Sequence, residues 1–340
     1  MKQSDVLIIG AGVIGCMTAR ELSAYDFSIT VLEKNSDVCE ETSKANSGIV
    51  HSGVDAKVGT QKAKYNLLGN QMMKQTCEDL EVAFVQNGTL ILAFFEHDLV
   101  ELERLRQQGI QNGVPHLQIL PRDKVLEMEP NLNPDVYAAL YAPTGGIVDP
   151  FQLTIASAEV ASLNGVKFEF QTTVTKVVRN DQGFEVMTDK GSFFAKILVN
   201  AAGTFSDDVH NFLSAKKLTI RPRKGEYCLF DKQVGQFVHS TIFQLPTSAG
   251  KGVLVTPTAE GNLLIGPSSV FIDDKEDKET TIEGIRYVME TAKTSVPNLP
   301  MREIITGFAG LRAAEVNGDF ILGEAEDVPN LYNAAGIESP

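Results

Sequence analysis

Of the five histidines in the chain, His51 alone stands in a glycine-rich polar segment, Ser43-Lys44-Ala45-Asn46-Ser47-Gly48-Ile49-Val50-His51-Ser52-Gly53. An imidazole with an ordinary pKa of about 6.5 can take a proton at neutral pH, which makes His51 the candidate general base. A histidine that only orders the loop or hydrogen-bonds a bound group is the alternative. His97, His116, His210 and His239 lie in polar or turn-like contexts and read as structural or surface residues. Arg312 follows the glycine-spaced run Gly307-Phe308-Ala309-Gly310-Leu311. A guanidinium there can hold a carboxylate or phosphate with two hydrogen bonds, or can pair with an acid such as Glu315. Lys224 and Tyr227 are further candidates on the substrate side. They sit three residues apart on an expected strand, so they point to opposite faces, and Arg223 shares the face of Tyr227. The four cysteines, Cys16, Cys39, Cys77 and Cys228, form no C-x-x-C pair. Neither a metal constellation nor a Ser-His-Asp arrangement is visible. No cysteine reads as catalytic, and the reaction class depends on which cofactor the chain holds.

The first forty residues supply a place for one. Asp5-Val6-Leu7-Ile8-Ile9 is an apolar run without alternation, the pattern of a parallel strand buried on both faces. It leads into Gly10-Ala11-Gly12-Val13-Ile14-Gly15, then a helical period through Ala19 and Leu22, then a second strand, Ser28–Leu32, that ends at Glu33. Gly10 permits the tight turn, Gly12 lets a pyrophosphate approach the backbone, and Gly15 lets the helix lie close on the sheet. The helix N-terminus offers N–H groups to the phosphates. Glu33, 18 residues beyond Gly15, can accept hydrogen bonds from ribose hydroxyls. This unit predicts dinucleotide binding without separating FAD from NAD. The polar segment Ser43–Gly53 follows only ten residues later, where a simple NAD domain would continue with a helix and strand. It suits a loop that wraps a larger cofactor, and by composition it equally suits a surface loop. Ile197-Leu198-Val199-Asn200-Ala201-Ala202-Gly203 and Leu331-Tyr332-Asn333-Ala334-Ala335-Gly336 are two further strands ending in small residues, which permit close approach to a ligand.

Composition narrows the class. The chain has 340 residues, 43% hydrophobic and 22% charged, with a formal net charge of −14. Such acidity argues against gripping phosphodiester backbones, so no nucleic-acid partner is expected. No apolar run approaches the roughly 20 residues of a membrane span. The N-terminus lacks a signal-peptide layout, and the cysteine usage suits a reducing compartment. A cytoplasmic protein is expected.

Seven stretches, spread over the chain in order, resemble the FAD-dependent oxidoreductases of the D-amino-acid oxidase superfamily. Within it the chain is most similar to glycerol-3-phosphate dehydrogenases and L-2-hydroxyglutarate dehydrogenases. The stretches are Val6–Lys34, Asn46–Gly53 (NSGIVHSG), Gly145–Pro150 (GGIVDP), Ile197–Gly203 (ILVNAAG), Arg223–Tyr227 (RKGEY), Gly307–Ala313 (GFAGLRA) and Ala335–Pro340 (AGIESP). The resemblance implies FAD as cofactor, held by Gly10, Gly12, Gly15, Glu33, Lys34, Ser43, Asn46, Ser47, Gly48, Val174, Ala201, Ala202, Gly203, Gly310, Gly336 and Ile337. It places His51 against the flavin and Arg312 near substrate and flavin. The implied fold is α/β, α+β overall. A Rossmann-like, doubly wound FAD domain (1–80, 145–218 and 305–340) is interleaved with a mixed or antiparallel-sheet substrate domain (81–144 and 219–304).

The implied activity is oxidation of a small anionic hydroxy compound by hydride transfer to flavin, with glycerol 3-phosphate ahead of an L-2-hydroxy acid. The alternatives are an amino-acid or amine oxidase of the same fold, or a non-catalytic flavin-binding electron-transfer subunit. No second G-x-G-x-x-G is present, which favours reduction by substrate over reduction by NAD(P)H. Relatives pass electrons to quinone or an iron–sulfur partner, which leaves peripheral membrane contact open. The chain ends soon after an expected cofactor-facing strand. In the resembling family a glycine-containing helix follows, and many members add a cysteine-bearing domain, so a truncated chain or an unusual closure is expected.

The remaining pattern predicts helices over 57–80, 97–111, around Val125, 150–163 and 279–295. Strands are expected over 89–95, 136–142, 166–170, 174–178, 184–188, 192–195, 221–231, 237–243, 252–256 and 263–265. Gly145-Gly146 reads as a break, and the charge run Asp273–Glu279 as a solvated loop.

Overall fold

A computed structural model describes residues 1–245, 252–316 and 318–338. Ser339 and Pro340 of the AGIESP stretch lie outside the described residues. The chain opens with strand β1 (Lys2–Ile9), helix α1 (Val13–Leu22) and strand β2 (Ile29–Leu32), as the motif predicts. Helix α2 (Gln61–Asp79) starts later than the expected residue 57 because Thr60 caps it, its hydroxyl accepting the Ala63 N–H at 3.1 Å. Helix α3 covers Pro150–Leu163 as expected, with the Asp149 carboxylate accepting the Phe151 and Gln152 N–H groups. Strands β3 (Gly191–Asn200) and β4 (Ile220–Phe230) precede helix α4 (Ile282–Ser295). Strands β5 (Ile304–Glu315) and β6 (Val328–Ala335) follow it.

β1 is the centre of the first sheet. β2 lies parallel on one side (Val6↔Ile29, Ile9↔Leu32) and β3 on the other (Val6↔Ile197, Ile9↔Asn200). β6 extends the parallel set beyond β3 (Leu198↔Leu331), and Lys167–Glu169 extends it beyond β2. A hairpin, Val174–Asn180 and Gly183–Thr188, closes the far edge antiparallel to β3. The unalternating run in β1 follows from this. Val6 and Ile8 join one core with Cys16 and Ala19 of α1 and Ala158 and Ala161 of α3. Leu7 and Ile9 join another with Phe184, Val186, Leu198 and Leu331. Successive side chains enter opposite cores, so every position is apolar.

The second sheet contains β4 and β5, paired antiparallel along their length from Ile220↔Glu315 to Phe230↔Ile304. It also holds Thr89–Ala93, Gln118–Pro121, Ala138–Ala142, Thr241–Gln244, Leu254–Pro257, Leu263–Gly266 and Val270–Phe271. Val288 and Ala292 of α4 pack into its core with Phe230, Ile242 and Val255. Both main sheets draw strands from separated parts of the chain. The boundary placed at residue 305 falls inside β5, which pairs wholly within the second sheet. No described helix is long and apolar enough to cross a membrane.

Two local expectations are corrected and a third is extended. The runs 192–195 and 197–199 are one strand, β3, interrupted in the pattern only by the exposed Lys196. Gly145-Gly146 is less a break than the start of a short strand, Gly146–Val148, that pairs with Ile49–Val50 and Phe84–Val85. The run Asp273–Glu279 is a loop with most of its residues exposed, as expected, but it is also ion-paired to Arg221, Asp207, Asp208, Lys34, Lys224 and Glu41. Its partners come from distant stretches that a local pattern cannot join.

Candidate active site

The carboxyl ends of β1, β2, β3 and β6 open onto one cavity of about 760 Å³. Ligands sit at this edge of a parallel sheet, where the strand order reverses. Gly10 turns there with φ +103°, and a Cβ on it would lie 2.4 Å from the Ala201 carbonyl oxygen. A Cβ on Gly15 would lie 1.9 Å from the Gly10 carbonyl oxygen, so α1 starts directly over the turn. Gly15 thus sets helix packing and does not line the cavity, whereas Gly10, Gly12, Val13 and Ile14 do. The α1 N-terminus carries no side-chain cap from Gly12; instead the Ser43 hydroxyl accepts the Val13 N–H at 2.8 Å.

Glu33 is buried and lines the cavity. One carboxylate oxygen accepts the Ala11 N–H and the other the Asn35 N–H, each at 2.8 Å. Those bonds tie the glycine turn to the end of β2. A carboxylate has about four acceptor sites, so capacity for ribose hydroxyls remains. Lys34 lies 4.2 Å from the Phe205 ring centre and pairs with Glu41 (3.3 Å) and Glu276 (3.5 Å).

The polar loop folds back to the same cavity. Ser43, Asn46, Ser47, Gly48 and His51 all line it. The Asn46 amide is committed to the loop itself, donating to the Thr42 and Ser43 carbonyls and accepting the Gly48 N–H at 2.7 Å. Gly310 stands behind the loop and off the cavity, where a Cβ would lie 1.9 Å from the Ala45 carbonyl oxygen. Its role is to let β5 press on the loop, which Thr42 also ties down by donating to the Leu311 carbonyl at 2.7 Å. Val174, Ala201, Ala202, Gly203, Gly336 and Ile337 line the wall.

The cavity is also lined by His51, Tyr227, Arg312, Arg223, Lys62 and Glu338. The His51 ring lies 6.1 Å from Phe243, and its carbonyl accepts from Asn70 at 3.1 Å. Arg312 donates to the Ser268 and Arg223 carbonyls, at 2.9 and 3.3 Å. Burial draws its pKa down; Tyr227 and Glu338 oppose that shift, while neighbouring Arg223 reinforces it. Tyr227 stacks on Phe308 at 4.8 Å, and burial raises its phenol pKa against the pull of Arg312 and Arg223. Lys224 is not brought here. Strand alternation turns it to the opposite face, where its buried ammonium meets both Asp277 oxygens at 2.9 Å. Arg223, Lys62 and Glu338 enter the site although sequence reasoning had not assigned them. Alternation with Tyr227 signals Arg223, Glu338 lies in the AGIESP stretch, and nothing in the polar sequence of α2 marks Lys62.

The thiols are buried, with pKa values raised by burial, to about 11 for both Cys77 and Cys228. They are small packing residues. His210 is bonded to Asn333 and the Lys216 carbonyl, and His239 faces Glu129, both away from the cavity.

The residues present fit a flavin dinucleotide. Side-chain-free positions flank the α1 N-terminus, a carboxylate closes β2, and Ile49, Val50 and Met73 give an apolar floor beside His51. The volume lies within the range of about 300–1,000 Å³ usual for ligand pockets. Comparison with known proteins agrees. The profile of the "FAD dependent oxidoreductase" family matches residues 5–340. A glycerol 3-phosphate dehydrogenase of Caloramator mitchellensis is 49% identical over 99% of this chain and 70% of its own length. An L-2-hydroxyglutarate dehydrogenase of Indibacter alkaliphilus is 26% identical over 97% of this chain and 94% of its own. The solved structure of dithionite-reduced L-alpha-glycerophosphate oxidase from Mycoplasma pneumoniae, with FAD bound, superposes with a TM-score of 0.94 at 34% identity, covering 100% of this chain and 91% of that one. Sheet, glycine turn, cavity and sequence kinship converge: this chain belongs to the FAD-dependent oxidoreductase family.

Proposed function

We propose that the chain oxidises a small anionic hydroxy compound, with glycerol 3-phosphate the leading substrate and an L-2-hydroxy acid the second. One observation carries the reading. In a chain of net charge −14, three cations, Arg223, Arg312 and Lys62, line the same cavity as His51 and Tyr227, with one carboxylate, Glu338, among them. Guanidinium groups hold phosphate or carboxylate with fixed geometry, so the substrate's anionic group belongs beside Arg312. That anchoring turns the carbinol carbon toward the flavin end of the cavity and the hydroxyl toward His51, whose imidazole takes the hydroxyl proton. FAD, when bound, accepts the hydride from that carbon. Tyr227 stays protonated at neutral pH, since burial raises its pKa, and can donate a hydrogen bond to substrate oxygen. The kinship to a glycerol 3-phosphate dehydrogenase at 49% identity supports glycerol 3-phosphate over L-2-hydroxyglutarate, for which the relative is 26% identical.

For reoxidation we infer a separate acceptor, a quinone or an iron–sulfur partner, and any membrane contact is peripheral. Anaerobic bleaching of the flavin by glycerol 3-phosphate, L-2-hydroxyglutarate, glycine and sarcosine tests the reading. Glycerol 3-phosphate is expected to bleach fastest. Bleaching by the amines alone would establish an amine oxidase instead, and no bleaching by any compound would favour a non-catalytic flavin carrier.

A further inference from the structure

The seven-residue run Asp273-Asp274-Lys275-Glu276-Asp277-Lys278-Glu279 links Val270–Phe271 of the second sheet to α4, which packs on that same sheet. Both its ends are fixed. The Ile272 N–H donates to the Pro222 carbonyl at 3.1 Å, and Thr281 is bonded through N–H and hydroxyl to the buried Glu226 carboxylate. Between those anchors, among the described residues, the polar ties to the rest of the chain are ion pairs. Lys275 bridges Asp207 (2.6 Å) and Asp208 (2.7 Å), Glu276 meets Lys34 (3.5 Å), and Lys278 meets Glu41 (2.9 Å). Asp277 meets Lys224 (2.9 Å) and Asp273 meets Arg221 (3.5 Å). The run has no apolar side chain with which to pack.

The partners locate the run. Glu276, Lys34, Glu41, Asp208 and Phe205 all line the cofactor cavity. Lys34 follows Glu33, the carboxylate that ends β2 and marks the ribose of the adenosine half. Lys34 and Lys275 both approach the Phe205 ring, at 4.2 and 5.4 Å from its centre. The run therefore lies beside this end of the cavity, which it touches through Glu276, and is held there by charge.

We propose that residues 273–279 form an ion-paired clasp over the adenosine end of the FAD site, and that FAD enters and leaves when Lys275 parts from Asp207 and Asp208 and Lys278 from Glu41. The clasp is a kinetic barrier. It slows both uptake and release and needs no contact with substrate, so it stands apart from the substrate assignment. Partly exposed ion pairs weaken as salt shortens the Debye length, from about 10 Å at 0.1 M to about 3 Å at 1 M.

The test is FAD release from the holoenzyme, followed by flavin fluorescence after dilution, and FAD uptake by the apoprotein, at low and high NaCl. In the parent both rates are expected to rise several-fold with salt. The double variant Lys275→Gln/Lys278→Gln should show both rates raised at low salt and little further response to salt. Asp273→Asn, which breaks only the outermost pair, should behave as the parent. Faster release without faster uptake in the double variant would mean a weakened pocket and would overturn the clasp. So would parent rates that ignore salt, or an Asp273→Asn protein as fast as the double variant. The parent's own salt response decides the matter if the double variant does not fold.

Discussion

Arg223 and Glu338 meet at 2.6 Å on the wall of the cavity, with Lys62 3.6 Å from the other oxygen of the same carboxylate. Arg312, on the neighbouring strand and paired directly across from Arg223, makes no ion pair among the described residues: its bonds go to carbonyl oxygens. Two guanidinium groups side by side repel each other, and Glu338 pairs directly with Arg223 while acting on Arg312 only from a distance. Arg312 is left as the cation whose charge is open to an incoming anion, while Arg223 is held as part of the wall.

The first prediction follows from that difference. Arg312→Ala should cost more in kcat/KM for the anionic substrate than Arg223→Ala. Hydrogen bonds to charged groups contribute about 1.5–3 kcal/mol, so the expected loss for Arg312→Ala is roughly 10- to 150-fold, mostly in KM. Steady-state kinetics on both variants check it. Equal losses would show that Glu338 does not hold Arg223 back from the substrate.

His51→Gln should slow anaerobic flavin bleaching by glycerol 3-phosphate by roughly 10²- to 10⁴-fold, the usual contribution of a positioned base. The variant should still bind FAD, because Asn46 and Thr42 tie the loop down. Stopped-flow reduction reads the first statement and the absorbance of the purified protein the second. A variant reduced at the parent's rate removes His51 as the base.

Gly310 and Gly69 give opposite expectations from the same substitution. Gly310→Ala drives a methyl group toward the Ala45 carbonyl oxygen, 1.9 Å from the ideal Cβ position, and displaces the cofactor loop. A loss of about 1–3 kcal/mol and a reduced FAD content are expected. Gly69 lies in α2 on the cavity lining, with no protein neighbour within 4 Å of a Cβ, so Gly69→Ala should stabilise the apoprotein by about 0.5–1 kcal/mol. Thermal unfolding with flavin quantitation compares them.

These residues also show what the sequence discloses. β1, α1 and β2 are readable because local periods, glycine spacing and a terminal acid coincide within one short unit. Helix α3 is readable because Asp149 and Pro150 announce its start. β5 is not, because Gly307, Ala309, Gly310, Ala313 and Ala314 lack the branched side chains that mark strands, being chosen for close contact with the Ala45 loop and the facing strand. The cation cluster is half-legible. Arg223 follows from alternation with Tyr227, whereas Lys62 reaches the site only through the placement of α2 against the cavity. The ion pairs of the clasp are illegible for a related reason: a run of mixed charges has the composition of a solvated loop whether or not opposite charges await it.

The thiols should be inert in the folded protein. All four cysteines are buried, and burial raises the thiol pKa of each, to about 11 for Cys77 and Cys228. Only the thiolate is nucleophilic. An aromatic disulfide reagent at pH 8 should therefore titrate no thiol rapidly in native protein and four after denaturation, with activity retained during the native phase. Rapid loss of activity with one equivalent would make one of them functional.

The clasp also predicts how FAD retention responds to acid. Burial would raise the Glu41 pKa, but the bonds from Lys278 and Asn35 and the charge of Lys34 outweigh it and hold the carboxyl below its ordinary range. Asp277 is held low chiefly by Lys224. A carboxyl whose folded pKa is depressed contributes stability that is present above its unfolded pKa and lost as pH falls through the folded one. The clasp should therefore stay closed and FAD retention stay flat across neutral pH. Release should accelerate only below the ordinary carboxylate range of about 4, as Glu41 and Asp277 take up protons and free Lys278 and Lys224. Measuring FAD release from pH 8 down to the onset of unfolding, with circular dichroism monitoring the fold, checks this. A release rate that instead climbs between pH 7 and 6 would implicate a histidine and not the carboxylates of the clasp.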